Sequence, residues 1–267
     1  MRRPPVALFL LLALAAAGAG CASQPTAEQI VERCITARGG APALAAVTSR
    51  RMTGRVVFAG RDSGAFAVEM KRPGMMRQEM NLSSGTLIST LNGERGWAVR
   101  SMHGQAAAET LSAGQVRNMQ GGADMDGPLV DWKAKGNQVE LMGTEKVRGR
   151  DAWRLQVTQA NGQKRVDFID RQSNLEVKWE GAIDQGGQPV TFESYFSDYR
   201  PVNGVMHAFR IESGQAGKPL AQVLEFDRID VNVPLDNAEF GPPQVAAPAA
   251  ASSAPAAHGR RGPAARR

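Results

Sequence analysis

Two periodicities divide the chain. Near the start the spacing is helical: Thr26 and Gln29 stand at capping-box distance, and Ile30, Val31, Cys34 and Ile35 recur on one stripe until Gly39-Gly40 ends it. Pro42 can open a second short helix running to Val47. From residue 51 the period falls to two. Met52, Gly54, Val56 and Phe58 alternate with Arg51, Thr53, Arg55 and Val57, and after a turn Phe66, Val68 and Met70 alternate with Ala65, Ala67, Glu69 and Lys71. Beyond Pro73-Gly74, Met76, Met80 and Leu82 alternate with Arg77, Glu79 and Asn81. The even positions of these three strands form an apolar face, because the opposite parity would bury six charged side chains.

The pattern continues with strands over 86–91 and 95–100, joined by the hairpin dipeptide Asn92-Gly93. Helices are expected over 107–119 and 128–135. Strands resume at 138–142, 152–158, 165–170, 175–183, 189–195, 205–211 and 220–231, with Trp153, Leu155 and Val157 sharing a face and Val177 and Trp179 facing inward. The expected fold is mainly β, about eleven short antiparallel strands in a near-continuous meander, with short helices covering the apolar face. An outer-membrane barrel also alternates, but the interleaved helices and the scarcity of aromatic residues, four Trp and two Tyr, count against it.

Charge sits at the ends. The excess of 32 Lys and Arg over 26 Asp and Glu is carried by six arginines, Arg2, Arg3, Arg260, Arg261, Arg266 and Arg267, in stretches that hold no acid. The body between them is neutral, which excludes the basic stripe that nucleic-acid binding requires. Residues 1–20 read as an export signal, with Arg2 and Arg3 before an apolar run and Gly18-Ala19-Gly20 as a small-residue cleavage zone. Cys21 follows directly, so the segment resembles the lipobox of bacterial lipoproteins. Acylation of Cys21 would anchor an exported, periplasmic protein to a membrane surface, by the lack of Asp after Cys21 the outer membrane; a soluble product cut after Ala19 is the alternative. Residues 21–240 form the expected domain. Residues 241–267, rich in Pro, Ala and Arg, read as a disordered basic tail.

The chain lacks a phosphate loop and the HExxH, CxxC and GxSxG signatures. His207 has the parity of Val205 and Phe209 and is expected to point inward as a hydrogen-bonded core residue; His103 has no evident nucleophile beside it. Asp124 and Asp126 do not match a calcium loop, and Asp126 is expected to cap a helix beginning at Gly127-Pro128. Cys34 reads as a small buried apolar residue. No metal, cofactor or catalytic site is expected. The unusual feature is methionine: Met52, Met70, Met75, Met76 and Met80 crowd the first three strands, and four of the five share the inward parity. Unbranched, polarizable side chains suit a lining that must accept variable apolar partners.

Four segments, "ARGGAPALAAVTSRRMTG" (37–54), "NGERGW" (92–97), "DMDGPLVDW" (124–132) and "ESYFSDYRPVNGVMHAFRIE" (193–212), together resemble the outer-membrane lipoprotein-sorting proteins of the LolA and LolB-like superfamily. The resemblance implies an incomplete antiparallel β-barrel, a half-cone with helices as a lid, whose interior takes the acyl chains of lipoproteins or lipids. The implied function is a non-catalytic carrier or acceptor; a regulatory module sensing envelope stress is the alternative use of such a half-barrel. Strand parity then nominates Met52, Val56, Phe58, Phe66, Val68, Met70, Met76 and Met80 from the early strands, and Leu155, Phe168 and Trp179 from the later ones, as lipid-binding residues.

Overall fold

The computed structural model describes residues 24–60, 62–102 and 105–243; the export segment, Cys21, His103 and the basic tail lie outside the described residues. Helices α1 (Ala27–Ala37) and α2 (Ala41–Ala45) precede six strands: β1 (Ser49–Phe58), β2 (Ser63–Lys71), β3 (Met75–Leu82), β4 (Gly85–Asn92), β5 (Arg95–Met102) and β6 (Gln105–Thr110). Helix α3 (Ala113–Ala123) follows. Seven more strands complete the chain: β7 (Gln138–Val147), β8 (Arg150–Thr158), β9 (Lys164–Asp170), β10 (Glu176–Gln185), β11 (Gln188–Val202), β12 (Val205–Gln215) and β13 (Gln222–Val231), with a 3-10 turn at Asn237–Phe240.

All thirteen strands belong to one antiparallel sheet, ordered β6-β5-β4-β3-β2-β1-β13-β12-β11-β10-β9-β8-β7. Every hairpin neighbour pairs, and β1 with β13 joins the two halves. The sheet stays open at a single seam between β6 and β7. Between those two strands the chain makes its long excursion, residues 111–137, which sets α3 against β3–β5 of one half and β10 of the other. Closing β13 onto β1 requires a glycine: at the register shift after Thr53, a Cβ on Gly54 would lie 1.9 Å from the Glu225 carbonyl oxygen.

The helices all cover one face, here called inner. α1 is held by the expected capping box, Thr26 Oγ1 accepting from the Gln29 amide at 3.2 Å while Gln29 Oε1 accepts from the Thr26 amide at 3.0 Å. It buries Ile30, Val31 and Cys34 against Trp153, Leu155, Val157 and Ile169. α2 inserts Leu44 beside Val205 and Val130. On the outer face the charged residues of the first strands pair, Arg51 with Glu69 and Arg55 with Glu225 across the ladder and Arg77 with Glu79 along β3, each at 2.7 Å. The alternation of the early strands is therefore oriented as the sequence predicts.

One expected helix is displaced and another is absent. Residues 105–110 are the edge strand β6, because the open edge of β5 offers a continuous partner from Trp97 opposite Thr110 to Met102 opposite Gln105, and this pairing overrides the helix propensity of the alanines. Helix α3 begins only at Ala113, behind a second capping box from Ser112 and Gln115. Residues 128–135 form successive turns rather than a helix; Asp131 takes a left-handed φ of 51°, which breaks helical continuity. No helix among the described residues is long and apolar enough to cross a membrane.

Candidate functional site

The inner faces of β1–β4, β12 and β13 contribute to one apolar cluster. Register sets the rows: Met76 stands between Met70 and Leu91, and Phe66 between Gly54 and Met80. Gly54 has no side chain, so the Phe66 ring reaches across to Phe226, with centroids 6.1 Å apart. Val56, Phe66, Val68, Met70 and Met76 are buried in this cluster, with Met52, Phe58 and Met80 packed at its margin. All eight early-strand candidates thus lie together. What covers them is α3 and the loop after it: Val116, Met119 and Ala123 share one helical face and, with Met125, close down on the methionines.

The later candidates separate. Leu155 is wholly buried, but beneath α1 in the second cluster rather than among the methionines. Trp179 faces inward beside α3, its ring 6.2 Å from Phe192 and 5.2 Å from the Arg165 guanidinium. Phe168 is a correction. It stands opposite Arg154 on β8 and Lys178 on β10, on the outer face, where it packs with Val147, Ala152 and Val177 under those two cations. Val177 is also outward, because a register shift between Glu176 and Lys178 takes it off the parity of Trp179. The inward residues of β9 are instead Arg165, Asp167 and Ile169. Arg165 bonds Asp167 at 2.5 Å and Glu176 at 2.8 Å. Burial raises the pKa of Asp167 against the pull of Arg165, and burial with the Asp167 charge raises that of Glu176.

A second group of polar residues holds the lid. Asp126 does not cap a helix; its carboxylate accepts two bonds from Arg72, at 2.6 and 2.7 Å, while Arg38 donates to its carbonyl at 2.5 Å. Arg72 also donates to the carbonyls of Val47 and Leu44, so one guanidinium ties the β2–β3 corner, the end of α2 and the lid loop together. Burial works against the ionised form of Asp126, but Arg72, Lys135 and Arg38 outweigh it and hold its pKa below the usual carboxylate range. His207 is inward, as its parity requires. Its Nδ1 lies 3.3 Å from Arg50, and burial together with Arg50 and Arg38 lowers its pKa to about 4, so the ring is neutral at pH 7. Cys34 is buried and its thiol is pushed up to about 12, which leaves it protonated. Among the described residues no cluster of His, Cys, Asp and Glu could hold a metal ion.

The sequence search missed a cavity of about 250 Å³ between the opposite side of α3 and strands β9–β11. Arg117, Asn118, Gly121 and Gly122 contribute one wall, and Trp179, Ile183 and Phe192 the other. At the far end of α3 a cleft of about 590 Å³ lies between the β2–β3 corner, the turn at Gly93 and the lid residues Ala123 and Met125.

Three of the four sequence segments that carried the resemblance meet at the base of the lid, and the second lies against α3. Arg38 of the first donates to Asp126 of the third, its carbonyl accepts from Met206 of the fourth, and Gln120 on α3 donates to Gly93 of the second at 3.1 Å. A solved DUF1329 family protein from Desulfovibrio piger shares this fold with a TM-score of 0.54 at 12% identity, over 81% of this chain and 98% of its own. A LolA superfamily protein from Nitrosomonas europaea does so with a TM-score of 0.51 at 15% identity, again over 81% and 98%. The fold is LolA/LolB-like. No family model and no curated protein matches the sequence. At these identities the likeness establishes the fold alone, and the chemistry of the interior must be judged from this chain's own residues.

Proposed function

We propose that the protein is a non-catalytic carrier or acceptor of acyl chains, taking those of lipoproteins or lipids between the inner face of β1–β5 and α3. The observation that carries this reading is the composition of that face: methionine, phenylalanine and valine from β1–β3, covered by one short helix instead of a second sheet. A 14-carbon chain left in water costs on the order of 10 kcal/mol at ~0.8 kcal/mol per methylene, so a travelling acylated molecule needs such a cover. With α3 seated the methionines are packed, and loading requires the helix to move. Its sequence favours movement, since three of its residues, Gly114, Gly121 and Gly122, are poor helix formers, and the cleft beside Met125 gives an entry.

The polar groups of the inner face fit this role better than catalysis. Cys34 is protonated and buried, and the carboxylates Asp167 and Glu176 are engaged by Arg165. An export signal and an acylated Cys21 would place the carrier in the periplasm at the outer membrane, where such cargo travels. The test is displacement of a fluorescent fatty-acyl probe by an acylated lipopeptide, with the unacylated peptide as control. Displacement by the acylated form alone supports the reading; binding of neither probe nor lipopeptide, or equal competition by both peptides, rejects it.

A further inference from the structure

Arg50 faces inward from β1. It follows Phe58, Val56, Gly54 and Met52 along that face and stands opposite Met70 on β2 and Val231 on β13. Met70 belongs to the methionine cluster and Val231 packs with the cluster around α2, so the guanidinium lies where the two meet. Its Nη1 approaches His207 Nδ1 at 3.3 Å and its Nη2 donates to the Met70 sulfur at 2.9 Å. Neither partner is a carboxylate, and Arg50 Nε is buried with no partner at all. Asp126, the carboxylate whose charge acts on Arg50, is already held by Arg72, while Arg38 adds a second positive charge. Burial and Arg38 lower the Arg50 pKa to about 10, which leaves the group charged at pH 7.

His207 repeats the pattern. An arginine carries only donors, so Nδ1 of the neutral ring accepts and the ring proton sits on Nε2. That atom too is buried and has no partner. Two donors in one contacting pair therefore lack an acceptor, in an interior where an unsatisfied charged donor is costly. The Met70 sulfur is a weak acceptor on a flexible side chain, standing where an oxygen would bind the guanidinium more strongly. A carboxylate brings the missing charge and two acceptor oxygens, and it is about the size of the thioether it would displace, whereas a phosphate is larger. Building on the carrier reading, we infer that Arg50 and His207 form an interior anion site that takes the carboxylate of a free fatty acid, with the chain lying along the methionines toward Phe58.

The test titrates laurate, dodecyl phosphate and dodecanol, each below its micelle concentration or solubility limit, into the full chain by calorimetry. The same titrations are made with Arg50→Gln and Arg50→Met, whose folds are first checked by circular dichroism. A hydrogen bond to a charged group corresponds to roughly 10- to 100-fold, so the wild type should prefer laurate over dodecanol by at least about tenfold. Both variants should bind laurate and dodecanol within about threefold of each other and hold dodecanol as the wild type does, a change of selectivity that lost packing alone does not produce. In the wild type the carboxyl carbon of labelled laurate, followed by carbon-13 NMR, should titrate below its free value, because it faces a cation; a carboxyl group left in the apolar lining would titrate above it. That higher or an unshifted titration overturns the site even if neither variant folds. A preference for dodecyl phosphate over laurate overturns the carboxylate assignment. Equal binding of laurate and dodecanol by the wild type, or a preference that survives in the variants, overturns the site while leaving the carrier reading intact. Failure of all three compounds to bind rejects the carrier reading and the site with it.

Discussion

Asp126→Asn tests whether the lid is a working part. The substitution keeps the shape of the side chain and removes its charge, so Arg72 loses two charge-assisted bonds of 2.6 and 2.7 Å while keeping its contacts to Val47 and Leu44. The Asp126 side chain is 13% exposed and that of Arg72 34%, which places the pair between a surface contact worth ~0.2–1 kcal/mol and a buried one whose breaking costs ~3–5 kcal/mol. After discounting for solvent, about 1–2 kcal/mol is expected. Spent on the seated lid alone, that loss raises the released fraction roughly 5- to 30-fold. Because α3 must leave the methionines before a chain enters, the variant should bind an acyl probe more tightly than the wild type by up to that factor, while melting about 2–8 °C lower. The sign with pH is fixed by the depressed pKa of Asp126: its contribution is full above the ordinary carboxylate value and disappears as pH falls through the lower folded value. The difference between wild type and variant should therefore vanish in strong acid. Fluorescence titration at matched temperature reads the affinity, and a variant that is destabilised as expected but binds no better, or worse, refutes the coupling between lid and site.

Three further outcomes follow from the packing. Gly121→Ala adds a methyl that meets nothing within 4 Å and should stabilise α3 by about 0.5–1 kcal/mol, slowing probe uptake in stopped-flow measurements. Gly54→Ala drives a Cβ to within 1.9 Å of the Glu225 carbonyl at the β1–β13 junction and should cost more than ~2 kcal/mol in urea unfolding, since backbone must shift. Cys34, buried and shifted up to about 12, should resist iodoacetamide in the native protein and react only on unfolding; rapid native labelling would contradict its place beneath α1.

How much of this the sequence carries depends on what opposes the apolar residues. In β1–β3 the outward positions are charged and pair with each other, so strict alternation identifies the face, and the methionine cluster was legible. In β9 the logic inverts. Arg165 and Asp167 neutralise one another on the inner face, Phe168 is sheltered outside by the stems of Arg154 and Lys178, and binary patterning assigns both wrongly. The alternation of Arg165 with Asp167 at same-face spacing was the available signal for a buried pair. β6 was hidden because three alanines read as helix until an unpaired edge is present to recruit them. The role of Asp126 was out of reach, since its partner Arg72 lies 54 positions away in sequence and only the folded corner brings them together.

The central claim is that an acyl chain lies between α3 and the inner face of the early strands, and photo-crosslinking places the chain directly. A fatty acid carrying a diazirine near its methyl end, bound, irradiated and mapped by peptide mass spectrometry, should label Met52, Met80 or Met119 at the margin of the methionine cluster, and unlabelled acylated lipopeptide should compete the labelling away. Labelling concentrated on the outer face around Phe168, or labelling that the lipopeptide does not reduce, would contradict it.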